Sequence, residues 1–144
     1  MVKPKKSLGQ HFLTDKNIAQ KIVSMLVHNS ETKTDCLEIG PGKGMLTQYL
    51  LQRKNINLHL VEIDTEAVDY LNNKFNNLEN PILSADILKL DLNKLSSSKL
   101  LIIGNFPYNI SSQIFFKILE NKNLVSQVVC MIQKEVAEDR KSVV

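Results

Sequence analysis

Short apolar runs alternating with helical patterns constrain this chain more than any other feature. Five runs read as buried strands: 35–39, 58–61, 81–84, 100–104 and 128–132. Between them, apolar residues recur at the three- and four-residue spacing of one helix face. Met45, Leu46, Tyr49 and Leu50 form one such face. Ala67, Val68, Leu71 and Phe75 form a second, and Ile114, Phe115, Ile118 and Leu119 a third. An earlier helix is expected after Asp15, a natural N-cap, with Ile18, Ala19, Ile22, Val23 and Leu26 inward. Ser111 is the expected cap of the last helix. Strand–helix alternation of this kind folds as an α/β, Rossmann-like domain with a parallel sheet and right-handed crossovers. The segment 87–98, with its Ser96-Ser97-Ser98 run, is expected to be irregular.

The chain has 144 residues, which favours one domain over residues 1–144. Its formal net charge of +3 permits a nucleic-acid partner without requiring one. Lys3, Lys5 and Lys6 make a basic start whose simplest reading is a solvated tail. Cys36 and Cys130 lie far apart in apolar runs with no metal-ligand spacing, so no metal site is expected and both read as small core residues of a reduced, cytoplasmic protein. No apolar stretch approaches the roughly 18 residues of a membrane span, and the basic N-terminus lacks an apolar signal core.

Two strand ends carry chemistry. The first strand runs into Gly40-Pro41-Gly42-Lys43-Gly44, a turn whose missing side chains let a ligand approach the backbone. Glu38 precedes that turn, Glu62 ends the second strand and Asp86 ends the third. An acid at the second strand end can accept two ribose hydroxyls. Asp86 can accept from an adenine amino group. Each acid alone is an ordinary strand-end charge, but three in succession beside a glycine turn point to an adenosine-containing ligand. The loop spacing differs from the G-x-G-x-x-G of dinucleotide enzymes, which disfavours an NAD-dependent oxidoreductase. S-adenosylmethionine, with a ribose, an adenine and a cationic sulfonium, fits the acidic surroundings better.

The fourth strand ends in Asn105-Phe106-Pro107-Tyr108. Open α/β sheets place ligands at the carboxyl ends of their strands. An Asn oxygen accepts from an exocyclic amine and a Tyr ring stacks on a base, so the segment suits a flipped nucleobase held by its amino group.

With Lys6-Ser7-Leu8-Gly9-Gln10-His11-Phe12-Leu13, Glu38-Ile39-Gly40-Pro41-Gly42-Lys43-Gly44, Val61-Glu62-Ile63-Asp64, Ala85-Asp86 and Asn105-Phe106-Pro107-Tyr108 in order, the chain resembles the ribosomal RNA adenine dimethyltransferase family. The closest type is the bacterial enzyme acting on two adjacent adenosines near the 3′ end of small-subunit rRNA. The resemblance covers residues 3 to about 138. It implies a class I methyltransferase sheet in the order 3-2-1-4-5, S-adenosylmethionine as cofactor, and rRNA in an assembling small subunit as partner. It implies cofactor contacts from His11, Leu13, Gly40, Gly42, Glu62, Asp86 and Asn105, with Tyr108 as the stacking ring. Without the family, His11 would read as a capping or loop-packing residue. Asn105 and the Phe106 backbone carbonyl would accept both hydrogens of adenine N6, freeing its lone pair for methyl transfer, with Pro107 fixing the turn. No general base is required, because the product ammonium is acidic.

Two departures stand out. Phe106 replaces the more usual Leu, and the tail Asp139-Arg140-Lys141-Ser142-Val143-Val144 is unlike the family's continuation into further strands and a helical C-terminal domain. A shortened chain is therefore expected, with strand five as an uncovered edge open to self-association. Two other functions stay open: a large-subunit rRNA adenine methyltransferase, and a cofactor- or RNA-binding module without catalysis.

Overall fold

The computed structural model describes residues 2, 3, 5, 13–29 and 31–132. Its elements follow in the order α1 (Lys16–Ser24), β1 (Thr34–Ile39), α2 (Met45–Leu50), β2 (Ile56–Glu62), α3 (Thr65–Lys74), β3 (Leu83–Ser84), β4 (Leu100–Asn105), α4 (Ser111–Glu120) and β5 (Val125–Met131). Five strands form one sheet in the order β3-β2-β1-β4-β5, and every pairing is parallel. This is the expected α/β arrangement and strand order.

Alternation along the strands builds two cores, because successive side chains point to opposite faces. On one face Cys36, Leu58, Leu60, Leu101 and Ile103 pack with Ala19, Ile22, Val23 and Leu26, and with Leu46 and Leu50 of α2. On the other, Leu37, Ile39, Val61, Leu100 and Ile102 pack with Phe106, Ile114 and Leu124. The central strands are thus apolar on both sides, as a covered parallel sheet requires. Arg53, just past α2, donates to the carbonyls of Val23 and Leu26 at 2.7 and 2.8 Å, satisfying groups that the end of α1 leaves open.

Several local expectations need correction. Asp15 does cap α1, accepting from the amides of Asn17 and Ile18 at 2.8 and 3.2 Å. Ile18, however, is 44% exposed. Ser111 is not the cap of α4. Pro107 accepts from the Ile110 amide in a tight turn, which puts Ile110 at the cap position and leaves the Ser111 hydroxyl donating to the Tyr108 carbonyl at 3.3 Å. Leu119 faces outward at 62% exposure, so the inward face of α4 is narrower than its sequence pattern. Strand β3 is two residues long, and β5 starts at Val125 rather than Val128. The 87–98 segment contains two short 3₁₀ turns, each headed by an aspartate that accepts a backbone amide. Lys6 and the tail 139–144 lie outside the described residues. Among the described residues, no helix is long and apolar enough to cross a membrane.

Gly104 of β4 sits opposite Ile39 of β1. A Cβ there would collide with the Ile39 carbonyl oxygen of the neighbouring strand. Gly104→Ala should therefore destabilise the fold by roughly 1–3 kcal/mol, the usual cost of forced overpacking. A urea midpoint equal to that of the unsubstituted chain would contradict this packing.

Candidate cofactor and base site

The carboxyl ends of β1, β2 and β4 meet at one crest. After Ile39 the chain turns through Gly40, Gly42 and Gly44, all at positive φ (66°, 58° and 83°), a conformation that side chains with a Cβ resist. The Gly40 amide donates to the Val61 carbonyl at 2.9 Å, and the Gly44 amide closes back onto the Pro41 carbonyl at 2.8 Å. A Cβ on Gly40 would stand 3.7 Å from the Asn105 carbonyl oxygen and 3.8 Å from the Pro107 ring. The glycine turn and the Asn-Phe-Pro-Tyr segment thus face each other across the β1–β4 junction.

Two clefts open beside Gly40. Leu13, Glu38, Lys43 and Asn105 are among the residues lining one. The other is mainly apolar, with Ile63, Ile87, Pro107 and Ile110 in its walls and Glu62 and Asp86 at its margin. A polar cleft and an apolar slot sharing one glycine suit a ligand with a charged end and a flat ring end. The apolar slot suits a flat heterocycle, and the cleft beside Glu38 and Asn105 suits a polar, charged group. Among the described residues, no cluster of His, Cys, Asp and Glu could hold a metal ion.

The acids occupy distinct positions. Glu38 is 1% exposed, and its Oε1 accepts from the Thr47 hydroxyl at 2.5 Å. Burial pushes its pKa up to about 8; the Thr47 bond opposes that rise and the nearby Glu62 charge adds to it. Glu62 accepts from the Gly42 amide at 3.0 Å and the Asp64 amide at 3.1 Å. Burial also raises its pKa, against those two amide bonds. Glu62 therefore braces the glycine turn as well as standing where a ribose acid is expected. Asp86 is half-buried and accepts from the Leu88 amide at 2.9 Å, which fixes it at the edge of the apolar slot.

Phe106 is buried, meeting Phe115 edge-on at 5.6 Å, and its amide donates to the Met131 carbonyl at 3.1 Å. Its side chain serves the core, so only its backbone is available to a ligand. Tyr108 is half-buried within the turn that precedes α4. Of the residues named from sequence, Leu13, Gly40, Gly42, Glu62, Asp86, Asn105 and Pro107 line the two clefts. His11 lies outside the described residues.

Two partnerships carry no motif signal. Thr47 is a polar residue buried on α2 beside Leu46 and Leu50. Lys5, read as part of a solvated tail, instead pairs with the buried Asp64 at 2.7 Å and reaches Glu66 at 3.4 Å. The Asp64 bond is the main cause that raises the Lys5 pKa above the usual lysine value. Asp64 also caps α3 through the Glu66 amide, so Lys5 ties the N-terminal segment to the helix that follows Glu62.

An open parallel sheet with a glycine turn after β1 and acids at the next two strand ends defines a nucleotide-binding domain of the Rossmann-like methyltransferase type. The chain aligns with the structure of a 23S rRNA methyltransferase, ErmE, at a TM-score of 0.77 and 26% identity, over 92% of this chain and 52% of the other. It aligns with a dimethyladenosine transferase from Plasmodium falciparum at 0.68 and 30% identity, over 89% of this chain and 45% of the other. The family model for ribosomal RNA adenine dimethylase matches residues 1–141, and the chain belongs to that family. It is 53% identical to the ribosomal RNA small subunit methyltransferase A of Parabacteroides distasonis, over 96% of this chain and 51% of the relative. The corresponding protein of Cytophaga hutchinsonii is 50% identical over 95% and 53%. The chain thus spans about half the length of the curated relatives it matches.

The buried Glu38 makes stability depend on pH. Its folded pKa lies above the ordinary carboxylate value, so the folded state binds the extra proton. The stability this contributes is complete below the ordinary value of 4.5 and is lost as pH rises through about 8. Glu38→Gln should therefore melt several degrees higher than the unsubstituted chain at pH 9, with the gap narrowing steadily toward pH 5. A gap that does not change with pH would contradict the buried, protonated carboxyl.

Proposed function

We propose that this chain is the N-terminal, cofactor-binding part of an S-adenosylmethionine-dependent rRNA adenine N6-dimethyltransferase. Its target is two adjacent adenosines near the 3′ end of small-subunit rRNA, in an assembling subunit within the cytoplasm. The observation that carries this reading is the position of Asn105. It ends β4, lines the same cleft as Glu38 and the glycine turn, and is followed directly by the Pro107–Ile110 turn that carries Tyr108. Identities of 50% and 53% to small-subunit enzymes, against 26% to ErmE, favour the small-subunit target over the large.

When bound, S-adenosylmethionine supplies an electrophilic methyl group on its sulfonium. The chain's own residues do the positioning. Asp86 accepts from the cofactor's adenine amino group and Glu62 from its ribose. Leu13 and Gly40 bound its methionine end, with Gly42 held against Glu62 to keep the turn in shape. His11 is assigned a cofactor contact on family grounds alone. Asn105 Oδ1 and the Phe106 carbonyl accept the two hydrogens of the target amine, so the nitrogen lone pair turns away from the ring. Tyr108 stacks on the extruded base, worth roughly 1–3 kcal/mol toward the cost of unstacking. Positioning of this kind lowers reaction barriers by about 7–11 kcal/mol in favourable cases.

Strand β5 is the outer strand of the sheet among the described residues, with Val128, Val129 and Cys130 half-buried. No strand among the described residues pairs with its outer edge, and an edge of this kind supports self-association. Sedimentation at rising concentration should show dimers or larger species; a monomer across the range would contradict that part of the reading.

Calorimetry with S-adenosylmethionine tests the cofactor assignment. Saturable binding is expected, weakened at least tenfold by Asp86→Ala. Binding unchanged in that variant would remove Asp86 from the site, and no binding at all would remove the cofactor. In a chain that turns over, Asn105→Ala should cut the rate at least a hundredfold with cofactor affinity within threefold. Equal losses in both would sink its assigned role.

A further inference from the structure

Glu38 is a buried acid of the crest to which the positioning of cofactor and base gives no role. Its carboxyl is buried, faces the cleft shared by the glycine turn and Asn105, and makes a hydrogen bond to Thr47. Among the described residues, none of the ion pairs involves its carboxylate. On β2 the facing ionisable group is another acid, Glu62. Helix α2 and strand β4 contain no charged residue, and the lysines of α1, Lys16 and Lys21, are exposed. On its own strand, Cys36 is buried with its thiol pKa pushed up, chiefly by burial. Lys43 lines the same cleft from the glycine turn.

Resting on the cofactor reading above, we infer that Glu38 is a proton-coupled selector for the cationic form of the cofactor: it holds a proton while the cleft is empty and releases it to solvent when the sulfonium and ammonium groups enter. A buried carboxyl beside a second acid stays neutral until a positive charge arrives to pair with it. The ligand then supplies the missing counter-charge, and one O–H bond of Glu38 is exchanged for an ion pair across the cleft. S-adenosylhomocysteine, a neutral thioether at sulfur, supplies one charge fewer. It therefore releases less of the proton and gains less from the carboxylate. The consequence is a preference for methyl donor over demethylated product that grows with pH.

The two ligands are titrated by calorimetry between pH 6.5 and 9, in buffers of differing ionisation enthalpy, which reads protons released on binding. Each ligand's own amine also titrates, so the comparison is with Glu38→Gln, where only that background remains. The unsubstituted chain should release more protons with S-adenosylmethionine than Glu38→Gln does, the excess shrinking above pH 8. Its donor-to-product affinity ratio should rise up to ~10-fold per pH unit below that point, the limit for one linked proton. Thr47→Val removes a bond that favours the carboxylate, and should move the midpoint of proton release to higher pH. Binding with equal proton release in Glu38→Gln, or an affinity ratio flat with pH, overturns the selector while leaving the cofactor reading intact. An unmoved midpoint in Thr47→Val overturns it as well. Failure of both ligands to bind at any pH overturns the cofactor reading and the selector together.

Discussion

The structure depends on how closely β1 and β4 approach at their carboxyl ends. Ile39 and Gly104 are paired across the two strands, and the absence of a side chain at Gly104 lets the backbones meet. One residue further on, Gly40 turns away at positive φ and Asn105 ends its strand with its carbonyl facing that glycine. Both cores contribute to holding this junction. Ile103 packs on one face with α1 and α2, while Ile102 and Phe106 pack on the other with α4. A crest braced from both sides can keep a loop and a strand end in fixed register, which positional chemistry needs.

The crest gathers acidic groups whose hydrogen-bond partners are neutral. Glu38 and Glu62 are both buried near one another, and their partners are neutral: a threonine hydroxyl for one, two backbone amides for the other. Uncompensated buried charge is costly, so a folded chain tolerates it only through neutralisation or an incoming counter-charge. Lys5 relieves a third acid, Asp64, at the start of α3. Without such a partner, the run from Glu62 to Glu66 would concentrate three carboxylates beside the same strand end. Site and scaffold therefore share residues: Glu62 shapes the glycine turn, and Asp86 heads a 3₁₀ turn at the edge of the slot.

What could be read from the sequence followed how local the governing interaction was. The strand order and the clustering of Gly40, Glu62, Asp86 and Asn105 were legible because apolar runs and strand-end motifs encode them directly. Asp15 was legible as a cap because its bonds reach only two and three residues ahead. Ser111 misled because a turn set by Pro107 decided where α4 begins. Ile18 and Leu119 misled because helical spacing reveals an apolar face but not how much of it the sheet covers. Lys5 with Asp64 lies 59 positions apart, and Thr47 with Glu38 meets across the glycine turn, so neither pair leaves a pattern along the chain.

One ligand is expected to occupy the crest at the carboxyl ends of β1, β2 and β4. Backbone amide NMR during titration with S-adenosylmethionine tests it most directly. The predicted result is a set of saturable shifts confined to Gly40–Gly44, Glu62–Asp64, Asp86–Leu88 and Asn105–Tyr108, with Arg53, Ile56 and Gln127 at the opposite end of the sheet unmoved. Saturable shifts centred on that opposite end, with the crest silent, would contradict it.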